Sequence, residues 1–166
     1  VRGPKLYIAV GAFVLLLLIS NKVSAEKLIA EFEGLRLKAY QDSANVWTIG
    51  FGITRNPETG LPIKKGDTIT KEKALQWLKI VAKSAEAEVN KFVKVPINAN
   101  QRAALTSFVF NIGGSRFAKS SLLRKLNAGE PKAEVAKEFD RWVYGGGKIL
   151  PGLQRRRKEE AKLFLS

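Results

Sequence analysis

Histidine, cysteine and methionine are all absent from the 166 residues. Without imidazole or thiol there can be no Ser-His-Asp or Cys-His nucleophile, and no Cys/His zinc site. No disulfide framework can form either, so cysteine use says nothing about the redox compartment. Neither a cofactor nor a metal is expected, and chemistry must run on carboxylates, hydroxyls or cationic side chains. Acids are scarce as well: 15 Asp and Glu stand against 29 Lys and Arg, a net charge of +14. Such a surplus suits a polyanionic partner, whether nucleic acid, an anionic membrane surface or an acidic polysaccharide. With 45% hydrophobic residues and only six prolines, the chain has the composition of one folded domain rather than a disordered tail.

Residues 6–19 form a run whose only polar side-chain group is the Tyr7 hydroxyl, preceded by Arg2 and Lys5 and followed by Ser20-Asn21-Lys22. Val23-Ser24-Ala25 then offers the small residues of a signal-peptidase site, so residues 1–25 read as an export signal or signal anchor. As a helix the run reaches only ~21 Å, short of a ~30 Å hydrocarbon core, which makes a permanent span marginal. The working domain is expected over residues 26–166.

Within that domain Leu28, Ile29 and Phe32 follow a helical period, and Gly34 is placed to stop the helix at Glu33. Short alternating segments such as Val46-Trp47-Thr48-Ile49 predict a small β lobe over about 37–68. Thr70 reads as the N-cap of a connecting helix over about 70–93, with Leu75, Leu78, Ala82, Ala85, Val89 and Phe92 along one face. The remainder, about 95–166, reads as an α lobe with helices over 100–110, 120–127, 131–144 and 151–165, and Gly145-Gly146-Gly147 as a mobile break. The expected class is α+β, a small sheet lobe and a larger helical lobe with a cleft between them.

Glu33 in the last turn of a helix faces unsatisfied carbonyls, which favours its protonated form. Asp42, nine residues on, lies in the polar turn Gln41-Asp42-Ser43, where an ionised carboxylate is favoured. Thr48 offers a hydroxyl beside it, and Gly50 and Gly52 clear side chains from the strand so that another group can come close. One acid that holds a proton and one that does not are the parts of glycosidic bond cleavage. The spacing alone is weak, since a Glu at a helix end and an Asp in a turn are commonplace.

The stretch Glu33-Gly34-Leu35-Arg36-Leu37-Lys38-Ala39-Tyr40-Gln41-Asp42 and the following Trp47-Thr48-Ile49-Gly50-Phe51-Gly52 resemble the phage-type lysozymes, the muramidase endolysins of tailed bacteriophages. The resemblance continues through Gln101-Arg102-Ala103-Ala104-Leu105, Ser107-Phe108-Val109-Phe110-Asn111-Ile112-Gly113, Arg141-Trp142 and Gly152-Leu153-Gln154-Arg155-Arg156-Arg157. It implies a two-lobed lysozyme fold that hydrolyses the β-1,4 bond between N-acetylmuramic acid and N-acetylglucosamine in peptidoglycan. By matching position Glu33 is the proton donor, Asp42 the second carboxylate and Thr48 the hydroxyl that positions water, while Phe110, Asn111 and Ser121 line the cleft. A monomer is expected. Ile53 stands where the family usually has a histidine, which puts a stabilising ion pair in doubt. The leader resembles that of signal-anchor-release endolysins, tethered inactive at the inner membrane and then freed into the periplasm. Simple cleavage after Ala25 is the alternative.

Two other functions compete. A nucleic-acid module would stack bases on Trp77, Phe92, Phe108 and Trp142, but these lie in apolar helical stretches and read as core, so no nucleic-acid partner is expected. A basic membrane-disrupting protein would use the C-terminal helix, with Arg155-Arg156-Arg157-Lys158 opposite Leu153, Leu163, Phe164 and Leu165. Packing of that helix on the α lobe, its charges in water, is the preferred expectation.

Overall fold

The computed structural model describes residues 24–42 and 44–166. The apolar run 6–19, and with it the export or anchor segment up to residue 23, lies outside the described residues. Helix α1 (Ala25–Glu33) begins on Ser24, whose hydroxyl accepts the Lys27 amide at 3.2 Å. It ends at Gly34, whose φ of 67° turns the chain away while its N–H still donates to the Ala30 carbonyl.

Strands β1 (Arg36–Gln41) and β2 (Trp47–Gly50) pair antiparallel, with Tyr40 opposite Thr48 and a register shift between Arg36 and Tyr40. Isolated bridges between Lys38 and Thr68 and between Ile49 and Ile53 tie the long loop to this hairpin, and one between Arg55 and Pro62 closes the loop on itself. The β lobe has its own small core of Ile49, Ile53, Ile63 and Trp77, with Val81 packed against it. Ile53, where the family usually has a histidine, is buried in this apolar cluster.

Helix α2 (Lys71–Phe92) is capped by Thr70, which accepts the Lys73 amide at 3.2 Å. Its first half packs Ala74, Leu78 and Ala82 against Ile29 and Phe51. Its second half sends Ala85 and Val89 into the α-lobe core. One rigid element thus has a foot in each lobe.

Helix α3 (Ala99–Ile112) starts from a reciprocal Asn98–Gln101 capping box and is buried on several faces. Phe108 on α3 is the hub, meeting Phe117, Phe139 and Trp142 edge-on at ring separations of 6.4, 5.0 and 5.5 Å. The rings weighed as base-stacking platforms are core: Trp77 and Phe108 are buried, and Phe92 and Trp142 pack against the α-lobe cluster. Helices α4 (Gly114–Ala118), α5 (Ser121–Asn127) and α6 (Lys132–Lys137) complete the wall.

Two local expectations fail here. The single helix predicted over 131–144 stops at Lys137, tightens into a 3-10 turn (Glu138–Trp142) and gives way to a hairpin, β3 (Tyr144–Gly145) and β4 (Lys148–Ile149). The glycine run is not a loose break. Gly146 and Gly147 have φ of 57° and 76°, the two positive values that a two-residue hairpin turn requires.

Helix α7 (Pro151–Leu165) packs along α3, the 3-10 turn and α6. Phe164 is fully buried, in line with the packed expectation, but the charges do not all face water. Arg156, Arg157 and Glu160 are 3%, 0% and 0% exposed. Among the described residues, no helix is long and apolar enough to cross a membrane.

Candidate active site

Glu33 occupies the last position of α1, at the seam between the lobes, and its Oε1 accepts Arg156 Nη1 at 2.6 Å. The Arg156 guanidinium lies beside the Phe32 and Phe110 rings, at 5.3 and 5.9 Å from their centroids. The other carboxylate oxygen, Oε2, rests over Gly52: a Cβ built on that glycine would stand 2.6 Å from it. The bare strand surface expected at Gly52 is thus filled by the acid itself, whereas Gly50 only faces Ala74 at 3.6 Å.

Asp42 sits across the site in the β1–β2 turn. Its Oδ1 accepts two backbone amides, those of Ala44 and Val46, each at 2.9 Å. Asn45, with φ of 60°, closes the turn by donating its N–H to the Asp42 carbonyl at 3.0 Å. Thr48 stands behind this turn. Only 3% exposed, it donates its hydroxyl to the Val46 carbonyl at 3.0 Å, so it braces the residue whose amide holds Asp42.

Glu33, Asp42, Phe110 and Asn111 border one open cavity of about 430 Å³, together with Ile53, Arg55 and Val81. Phe110 and Asn111 come from the last turn of α3. Thr48 and Ser121 are not on its wall. Ser121, at the start of α5, gives its hydroxyl to Glu138 Oε2. Lys125 and that hydroxyl, in this order, hold the Glu138 carboxyl below the usual range. A larger groove of about 610 Å³ lies on the β lobe beside Trp77. Its carboxylates are Glu58, paired with Lys73 at 2.6 Å, and Asp67, which accepts the Lys64 amide at 2.8 Å.

Tyr40, unremarked in the sequence, lies within the field of both acids. Burial pushes its hydroxyl up, Arg36 stacked over its ring at 4.4 Å opposes this, and the charges of Glu33 and Asp42 add to the rise. Tyr40 therefore stays neutral at neutral pH. Arg156 was missed too. The signal was present in its helical phase: Arg157, Glu160 and Phe164 lie on the face of Leu153, so the basic run could not all point to water.

A sheet lobe and a helical lobe joined by a long helix, with two carboxylates facing each other over an open groove, define a lysozyme-type fold with a carboxylate-pair site. Comparison narrows this to one family. The phage lysozyme family matches residues 30–160, and the chain belongs to it. It is 44% identical over 143 residues to an endolysin of Acyrthosiphon pisum secondary endosymbiont phage 1, covering 84% of this chain and 93% of that protein. A SAR-endolysin of Bacteriophage PS119 is 37% identical over 133 residues, covering 80% and 76%. Among solved structures, the endolysin from Escherichia coli O157:H7 phage FAHEc1 superposes with a TM-score of 0.79 at 38% identity, covering 89% of this chain and 93% of that one. The muramidase domain of SpmX from Asticaccaulis excentricus gives 0.74 at 36%, covering 86% and 95%.

Proposed function

We propose that this chain is an exported endolysin that hydrolyses the β-1,4 bond between N-acetylmuramic acid and N-acetylglucosamine in bacterial peptidoglycan, lysing the host for phage release. The observation that carries the proposal is that Glu33 and Asp42, held by different elements, border one groove open to a polymer. Glu33 gives its proton to the glycosidic oxygen as the C1–O bond breaks. Water adds at C1 from the opposite side and yields its proton to Asp42. Two amides occupy Asp42 Oδ1, so the proton goes to Oδ2. Thr48 acts through Val46 to keep this geometry. Asn111 accepts Arg157 on its oxygen and so keeps its NH₂ for the glycan, beside the apolar Phe110 ring. The relatives named endolysins and the neighbour named a muramidase domain support this bond specificity. The membrane-disrupting alternative has no support, because the face of α7 that holds Arg156, Arg157 and Phe164 is spent inside the α lobe.

Digestion of purified peptidoglycan followed by borohydride reduction tests the specificity. New ends recovered as muramitol are the expected outcome, and glucosaminitol would overturn it.

The relatives named SAR-endolysins support a leader that tethers the enzyme at the inner membrane before release into the periplasm. N-terminal sequencing of the protein from fractionated cells is expected to find the leader still attached. A mature end at Glu26 would overturn anchor-and-release.

A further inference from the structure

A guanidinium stands against the acid, with Arg156 Nη1 donating to Glu33 Oε1 at 2.6 Å, and so sets a positive charge where a proton is to be held. Arg157 lies next in the chain and is itself buried. The residue that answers both is Glu160. Its Oε1 accepts Arg156 Nε at 3.1 Å and the Ser107 hydroxyl at 2.7 Å, and its Oε2 accepts Arg157 Nη1. From this branch point Arg156 runs on to Glu33, with Nη2 tied to the Ser107 carbonyl at 3.2 Å, and Arg157 runs on to Asn111.

Resting on the acid role of Glu33 proposed above, we infer that Glu160 is a positioning residue for the glycosidic step: its carboxylate fixes Arg156 against Glu33 and offsets the two guanidiniums, so that Glu33 can carry the proton it donates. Charge counting shows why. The four groups Arg156, Arg157, Glu160 and Glu33 sum to zero when Glu33 is ionised and to one positive charge when it is protonated. Were Glu160 neutral, protonating Glu33 would leave two buried cations with no counter-charge. Only donors face the Glu160 carboxylate, the pattern of an ionised acid. Burial raises the Glu160 carboxyl above its ordinary range even against the pull of Arg157, Arg156 and Ser107, so it is the three donors on its oxygens that hold the charge there. Burial likewise lowers Arg157, to about 10, which still leaves it charged at neutral pH. A buried ion cluster is a poor source of stability compared with apolar packing, so its presence behind a reacting acid points to use. Among the described residues, Asp42 and Arg55 share the Glu33 cavity and Tyr40 feels the charges of Glu33, Asp42 and Arg36; the hydrogen bonds of Glu160 go to Ser107, Arg156 and Arg157 instead.

The experiment is the pH dependence of kcat and KM on purified peptidoglycan for the full chain and two variants of opposite sign. The basic limb of that profile reports the acid that must hold a proton for the step. Glu160→Gln removes a negative charge and is expected to move this basic limb about one unit lower, with KM changed less than twofold. Arg157→Met removes a positive charge and is expected to move the limb higher. Glu160→Asp keeps the charge and is expected to keep the limb where it is. A basic limb that stays in place in either Glu160→Gln or Arg157→Met, in protein with unchanged near-UV circular dichroism, overturns the inference. Activity persisting in Glu33→Gln would instead remove the acid assignment itself.

Discussion

Glu33→Gln is expected to lower the rate of reducing-end release from peptidoglycan by about 10²- to 10⁴-fold, the range a positioned general acid contributes. An amide keeps the oxygen that accepts Arg156 and nearly the same shape, so Arg156 keeps a partner and binding of the glycan is expected to change little. What it lacks is a transferable proton. The loss therefore belongs in kcat, with KM close to that of the parent. Release of reducing ends at more than a tenth of the parental rate would show that another group protonates the leaving oxygen.

Gly52→Ala is expected to lower kcat by about 10²-fold, the cost of misplacing a reacting group by roughly an ångström. A Cβ there would lie 2.6 Å from Glu33 Oε2 and 3.0 Å from its Cδ, so the carboxyl must swing away. The backbone also has φ of +73°, which an L side chain occupies at a cost of about 1–2 kcal/mol. Gly129→Ala separates the two effects. Its φ is +71° and nothing lies within 4 Å of an added Cβ, so it should lose similar stability and keep its activity. Thermal melts with kinetics on both variants would decide. Equal rates in the two would mean that Glu33 does not depend on the space over Gly52.

The positions of Glu33 and Asp42 were legible because local sequence sets the helix end that carries one and the turn that carries the other. Helix α2 was legible for the same reason, since its apolar steps of three and four need only neighbours in sequence. For Arg156 the helical phase gave burial but not the partner. It lies 123 positions from Glu33, and a run of four basic residues takes on meaning only when Glu160 and Ser107 are known to sit beneath it. The 131–144 segment misled differently: its period is helical, but the glycines that follow form a tight turn and draw the chain out of the helix early. Ser121 and Thr48 show a third limit. A hydroxyl can be placed near a site from sequence, but which oxygen it faces is decided by packing, and here the choices were Glu138 and the Val46 carbonyl.

The start of α1 bears on how the enzyme is made. Ser24 caps this helix and Ala25 is its first, buried residue. A signal peptidase cutting after Ala25 would discard both and create a new α-amino group at Glu26. That terminus would lose a cap usually worth about 1 kcal/mol, and would set a positive charge against the positive pole of the helix dipole. The damage would fall on a helix of nine residues whose other end carries Glu33. Cleavage at that bond would therefore loosen the helix that presents Glu33, the proposed proton donor, whereas an uncut leader would keep its cap.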